Sequence, residues 1–350
     1  MPTLQEREMG SRPASISARL LVIIAVNTGL LALAMLICLS YGSSSDVLPQ
    51  KIIETFAVLL DGNADTSVEA AIILKIRLPR VILAAVVGAV LALGGLVFQA
   101  LLRNPLAEPY ILGVSGGSAI GAIAGILLGL APFPGVTITS FAGSLVVLFI
   151  ILILAGRASQ RPTSHDDSLL LGGVMMNAFC AAVIMFLISV SRSNQLQSIL
   201  FWLMGDFSSF TVSQLPILFT LLPSFIIIVS LGRAMNLLLL GDESAASLGI
   251  DVRRVSFLLL IATSLMVSIV VSQSGLVGFV GLVIPHIFRN IIGADHRLLI
   301  PACLAGGGAY MIFCDLLARL ISATGEMPVG VITALIGAPV FIFLLWREKK

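Results

Sequence analysis

Apolar positions along this chain neither alternate nor form narrow stripes; for most of its length they fill whole runs. A helix needs about 20 apolar residues to cross the hydrocarbon core of a bilayer. Ten runs approach or meet that length: 20–41, 79–102, 113–130, 136–156, 169–190, 212–232, 255–273, 276–292, 299–321 and 329–346. The eighth is short and rich in glycine. The pattern predicts an all-α polytopic membrane protein with one ten-helix domain over residues 20–347, behind a tail of residues 1–19. The first run exceeds the apolar core of a secretory signal, about 7–15 residues, so it reads as a retained span.

One polar connector, residues 42–78, has a pattern of its own. Leu48, Ile52, Ile53, Phe56, Leu59 and Leu60 recur at helical spacing, with Asp46 placed to cap the start and Gly62 the end. This predicts a short amphipathic helix on the membrane surface. Basic residues set the orientation, because cytoplasmic segments collect Lys and Arg. With the N-terminus inside, 14 basic residues lie inside and 6 outside, which accounts for all 20. Both termini are then cytoplasmic, and residues 42–78 lie outside.

Composition agrees. Of 350 residues, 58% are hydrophobic and 11% charged, against roughly 25% charged in a soluble domain. No Lys/Arg block points to nucleic acid. Cys38, Cys180, Cys303 and Cys314 all lie in apolar runs without a C-x-x-C pair, which reads as buried thiols used as small hydrophobes. The chain holds no G-x-x-x-x-G-K-[ST] and no H-E-x-x-H, so no phosphate loop or zinc-hydrolase site is expected. His165 beside Asp166 and Asp167 hints at a metal, but a solvated polar loop is the plainer reading.

Gly113, Gly117, Gly121, Gly125 and Gly129 fall at strict i+4 spacing in the third run. They predict a smooth helix face that a neighbouring backbone can approach. Asp315 and Arg319, four apart in the ninth run, can pair on one face. No carboxylate–histidine relay accompanies them, which speaks against a proton-driven pump. Between the second and third runs, "LLRNPLAEPYILGVSGGSAIGA" breaks the apolar pattern. Pro105 and Pro109 stop one helix and delay the next, so a stiff cytoplasmic hairpin is expected.

Four stretches together carry a resemblance. They are "RLPRVILAAVVGAVLALGGLVFQALLRNPLAEPYILGVSGGSAIGA", "LGDESAASLGIDV", "GLVGFVGLVIPHIFRNIIGADHR" and "DLLARLISATGEMPVGVITALIGAPVFIFLLWR". In sequence and order the chain resembles the FecCD family of ABC importer permeases, which includes vitamin B12, haem and ferric-siderophore permeases. The resemblance implies a type II importer fold in the bacterial cytoplasmic (inner) membrane, paired with a second copy of itself. It implies two ATPase subunits inside, which bind ATP and Mg, and a substrate-binding protein outside; no cofactor is expected in this chain, and it is not expected to be an enzyme. The resemblance further places a cytoplasmic gate at Asn104 and Leu106, with Leu171 at the start of the fifth span. It places ATPase coupling in the loop 233–254, at Asp242, Glu243, Ala245, Ala246, Leu248 and Gly249. There "DESAASLGI" reads as one short helix, with Asp242 as cap and Gly249 as stop. Arg77, Arg80 and Arg319 are implied to dock the binding protein.

Two rivals are open to test. A secondary transporter should show intramembrane carboxylates or broken half-helices around a midplane site, and a membrane enzyme should show convergent catalytic groups. The sequence names no particular chelate; the inclination is to an iron-bearing one, by analogy.

Overall fold

The computed structural model describes residues 16–41, 48–63, 67–158, 165–321 and 327–348. Every regular element among them is a helix. Seven helices are long and apolar enough to cross a membrane, and three shorter apolar ones lie at Val114–Leu127, Val280–Ile292 and Val329–Leu344. Each of these ten falls within or across one of the ten apolar runs.

Helix α1 is Ile16–Ser40 and α2 is Leu48–Asp61. Gly62 ends α2 in the left-handed region (φ +65), as its position predicts; Asp46 lies outside the described residues. On α2, Thr55 is buried while Ile53, Phe56 and Leu60 are exposed. The next helix, α3, is Val68–Leu101, so the second span begins some ten residues before the expected 79. The reason lies at Pro79. Its ring excludes an ordinary bond to the preceding turn, and the chain widens to a π-helical stretch over Ile72–Arg77 just before it. Pro79 is thus absorbed into a continuous helix, and "RLPR" lies within α3.

The remaining elements are α4 (Val114–Leu127), α5 (Thr137–Ala158), α6 (His165–Ser189) and α7 (Ser193–Leu203). They continue with α8 (Leu222–Ser230), α9 (Gly232–Leu238), α10 (Asp242–Ser247), α11 (Val252–Ser274), α12 (Val280–Ile292), α13 (His296–Ile321) and α14 (Val329–Glu348). Three differences from the expected pattern stand out. His165, expected in a loop, opens α6. Helix α7 was not expected; its polar start hid it. The sixth span begins as a 3-10 helix, Val212–Leu221, with Pro216 inside it, where a plain α-helix was expected.

Helix α3 is the centre of the bundle, buried from Pro79 to Ala100 on most faces. Lipid gives helices no hydrophobic reason to associate, so close packing of small residues must do it. Gly88 faces the Gly307 backbone of α13, and Gly95 faces the Gly281 backbone of α12. A Cβ at either glycine would overlap the opposing main chain. Gly95→Val should therefore cost about 1–3 kcal/mol by overpacking, read as a lower unfolding temperature of the detergent-solubilised chain. A matched Leu96→Val change should cost less.

Candidate functional site

The stretch expected as a stiff hairpin, residues 102–113, is non-helical as expected, but it folds back into the bundle as a re-entrant segment. Helix α3 ends at Leu101, and Arg103 turns the chain in the left-handed region (φ 47). Asn104 Oδ1 accepts from the Leu106 amide at 2.9 Å, an Asx turn that leads into Pro105. From there the chain runs back beside α3. Pro109 borders both Gly94 and Gly281, and Gly94 lies two turns back from the end of α3. The segment is held by side chains from two other spans. The Tyr110 hydroxyl donates to the Val277 carbonyl at 3.0 Å and accepts from the Val277 amide at 3.2 Å. Asn177, midway along α6, donates to the Tyr110 and Ile111 carbonyls at 3.0 and 3.2 Å.

Two consequences follow for the helices. Helix α4 starts only at Val114, where Gly113 takes a positive φ (+79). Its 14 residues cover about 21 Å, short of the roughly 30 Å hydrocarbon core. Helix α12, with 13 residues, is as short, and it begins after a non-helical stretch at 275–279. Broken helices, the mark expected of a secondary transporter, are therefore present. Their breaks, however, are filled by Tyr110 and Pro109. Sequence reasoning missed Tyr110 and Asn177; a lone polar residue centred in an otherwise apolar run, as at 177, was the available signal.

The glycine stripe divides. Gly117 and Gly121 face the α5 backbone at Gly143 and Thr139, and Gly125 faces the Thr139 side chain. Gly113 and Gly129 lie beyond the ends of α4 with positive φ; they are turn residues, and a Cβ at Gly129 would meet open space.

Helix α10 has six residues. Asp242 is its first helical residue and not its cap, a position taken by Gly241. Gly249 does end it, with φ +87. The Gly249 amide bonds to Ala246 O at 3.0 Å and the Ile250 amide to Ala245 O at 3.1 Å, a Schellman stop. Ala245 is fully buried, whereas Leu248 is 59% exposed. Glu243 and Ala246 are exposed too. The Asp242 carboxylate faces Arg103 at 3.3 Å, so the short helix touches the start of the re-entrant segment. Behind it, Asn236 on α9 donates to Asp295 Oδ1 at 2.8 Å. Arg297 grips both Asp295 oxygens, and these bonds hold the Asp295 carboxyl well below the usual carboxylate range. Leu106 and Leu171 are both exposed and Asn104 is half-buried.

At the other end of the bundle the three arginines come together, but they face inward. Arg80 is buried and its Nε meets Asp315 Oδ1 at 2.9 Å. Arg319 Nε faces Asp315 Oδ2 at 3.3 Å without hydrogen-bond alignment, and its Nη2 donates to Cys38 O at 3.2 Å. Arg77 Nη1 donates to Leu39 O at 2.9 Å. Arg77 and Arg319 thus satisfy carbonyls in the last turn of α1, where cations are favoured. The expected Asp315–Arg319 pair exists, and Arg80 is the partner the sequence did not reveal: it lies 235 residues away.

The FecCD transport family model matches residues 30–347. The chain belongs to the FecCD transport family. It is 42% identical over 277 residues to the vitamin B12 import system permease protein BtuC of Klebsiella pneumoniae subsp. pneumoniae, covering 79% of this chain and 82% of that one. It is also 42% identical to the BtuC of Salmonella typhimurium, over 79% and 84% of the two chains. Among solved structures, an inward-facing conformation of a metal-chelate type ABC transporter aligns with a TM-score of 0.80 and 32% identity, over 93% of this chain and 99% of that one. PsaBC from Streptococcus pneumoniae in complex with Fab aligns with a TM-score of 0.53 and 18% identity, over 83% and 95% of the chains, which shows the fold alone. As a FecCD family member, the chain is a transport permease and not an enzyme.

The Arg80–Asp315 pair generates a test. Removing one partner of a buried ion pair costs about 3–5 kcal/mol, whereas replacing both with apolar groups is often neutral. Asp315→Asn should sharply lower the thermal stability of the purified chain, and Arg80→Met with Asp315→Leu should recover most of it.

Proposed function

We propose that this chain is the membrane permease subunit of a binding-protein-dependent ABC importer for a metal chelate. Family membership over residues 30–347 carries this reading. In it the chain is a ten-helix domain over residues 20–347 in the bacterial inner membrane, with both termini cytoplasmic. Two copies form the translocation path at their interface, two ATPase subunits bind ATP and Mg inside, and a substrate-binding protein docks outside. The relatives named for vitamin B12 favour a corrinoid over the iron-bearing chelate to which the sequence inclined.

The loop 233–254, with α10 at its centre, is the coupling element. A six-residue helix is marginal alone in water. Exposed Leu248 and Ala246 on one side, with buried Ala245 on the other, suit a helix clasped between this chain and a partner surface. Asn104 and Leu106, with Leu171, form the cytoplasmic gate, the stiff hairpin keeping the two Asn104 residues facing each other across the dimer axis. Of the outer arginines, Arg77 is the one placed to meet a carboxylate of the binding protein, because Arg80 is committed to Asp315. Arg80 and Arg319 around Asp315, with Arg77 beside them and Glu69 near Arg77, leave this corner with one net positive charge, which favours an acidic partner through orientation and association rate.

Co-purification with an ATPase subunit, followed by ATP hydrolysis stimulated by the binding protein, tests the reading; a chain that transports with no ATPase overturns it. Ala246→Arg should uncouple hydrolysis from uptake or release the ATPase, and normal coupled transport would remove the coupling assignment. Asn104→Ala or Leu106→Ala should raise passive loss of chelate from proteoliposomes without ATP. Variants as tight as the parent would move the gate elsewhere.

A further inference from the structure

Helix α11 runs from the Arg103–Asp242 end of the bundle to the opposite end, and α4 runs to that same end from within the bundle. There their last residues, the start of α5 and helix α7 enclose a cavity of about 540 Å³. Its lining is unlike the apolar helices around it. Five carboxamide residues line one space: Asn194, Gln195, Gln197, Gln214 and Gln273. Trp202 supplies a flat apolar wall, and Asp206 is the one charged residue in the lining.

Two of the carboxamides already have structural duties. Gln195 donates to the Ile126 and Leu127 carbonyls at 3.1 and 3.3 Å, and Gln214 accepts from the Thr211 amide at 2.7 Å. Gln273 does not. It is 8% exposed, and its amide nitrogen is buried with no hydrogen-bond partner among the described residues. A buried donor left without an acceptor is costly, and native structures rarely keep one without a reason. Asn194 and Gln197, by contrast, are exposed.

We propose that this cavity receives the amide- or hydroxyl-bearing side arms of an electrically neutral metal chelate and disfavours chelates with anionic arms. The proposal rests on the importer reading above and narrows its substrate. A carboxamide both donates and accepts, so it pairs with another carboxamide or a hydroxyl, and the Gln273 amide lacks an acceptor among the described residues. A carboxylate or catecholate arm would instead meet Asp206 with no cation in the lining to offset it. The lining also holds no His or Cys, so the metal keeps the ligands it arrives with. At about 540 Å³ the cavity is of the size that holds a drug-sized ligand; a macrocyclic chelate is larger than that, so only its arms would enter.

Equilibrium dialysis against the full chain in lipid nanodiscs, with empty nanodiscs subtracted, tests this. Cyanocobalamin and ferrichrome, both neutral and rich in amides, should bind saturably, and haemin and ferric enterobactin at least about tenfold more weakly. Gln273→Ala should weaken cyanocobalamin binding about tenfold, the scale of one buried hydrogen bond. Gln197→Ala, at an exposed position that folding does not depend on, should weaken it in the same direction. Asn194→Arg should narrow the gap between haemin and the neutral chelates. The proposal is overturned if neither carboxamide variant changes binding, if the anionic chelates bind as tightly, or if no chelate binds. The importer reading is scored separately, on binding-protein-stimulated ATP hydrolysis by the parent assembled with its ATPase. Hydrolysis without carboxamide-dependent binding sinks only the cavity; binding without any ATPase partner sinks the importer.

Discussion

Two stretches of non-helical backbone meet inside this bundle, and one phenolic hydroxyl joins them. Away from water, an amide or carbonyl without a partner is expensive, so irregular backbone survives at membrane depth only where protein satisfies it. Residues 102–113 and 275–279 meet that condition together. Tyr110 takes both the amide and the carbonyl of Val277, while Asn177 takes two carbonyls from the other side. The short lengths of α4 and α12, the depth of Pro109 and the position of Gly113 all depend on that arrangement.

The second dependence is on closeness. Re-entrant backbone fits beside α3 only because Gly94 and Gly281 leave room for the Pro109 ring. The same economy of side-chain volume lets α3 lie against α12 and α13 at Gly95 and Gly88. Apolar composition puts the chain in lipid, but small residues at a few heights along α3 decide which helices touch. Polar groups then fix what packing leaves free, as where Asp315 and three arginines gather the ends of α1, α3 and α13.

Much of this was legible in sequence, and the limits have physical causes. The apolar runs located the spans because the bilayer imposes a length, and the Gly249 stop was readable because its left-handed backbone favours glycine. Asp242 was read as a cap because Asp commonly serves there, yet Gly241 holds that position and frees the carboxylate for Arg103. The second apolar run was taken from 79, but a π-helical turn before Pro79 carries the helix back to Val68. The arginines at 77, 80 and 319 were grouped in the sequence reading, and the structure brings them near one another. Their inward direction was hidden, because Asp315 and the end of α1 approach them only in three dimensions.

Helices α4 and α12 also constrain how the protein can be made. A helix of 13 or 14 residues flanked by open backbone is a poor candidate to cross a bilayer alone, because its flanks would present bare peptide groups to lipid. Neither segment can therefore partition from the translocon as an independent unit. Helix α12 must enter alongside α3, whose Gly95 receives it, and α4 alongside α5, whose backbone meets Gly117 and Gly121; α12 must also wait until Tyr110 is in place to meet Val277. Biogenesis of this chain is thus ordered by hydrogen bonding between segments more than 160 residues apart, and not by the hydrophobicity of each span in turn.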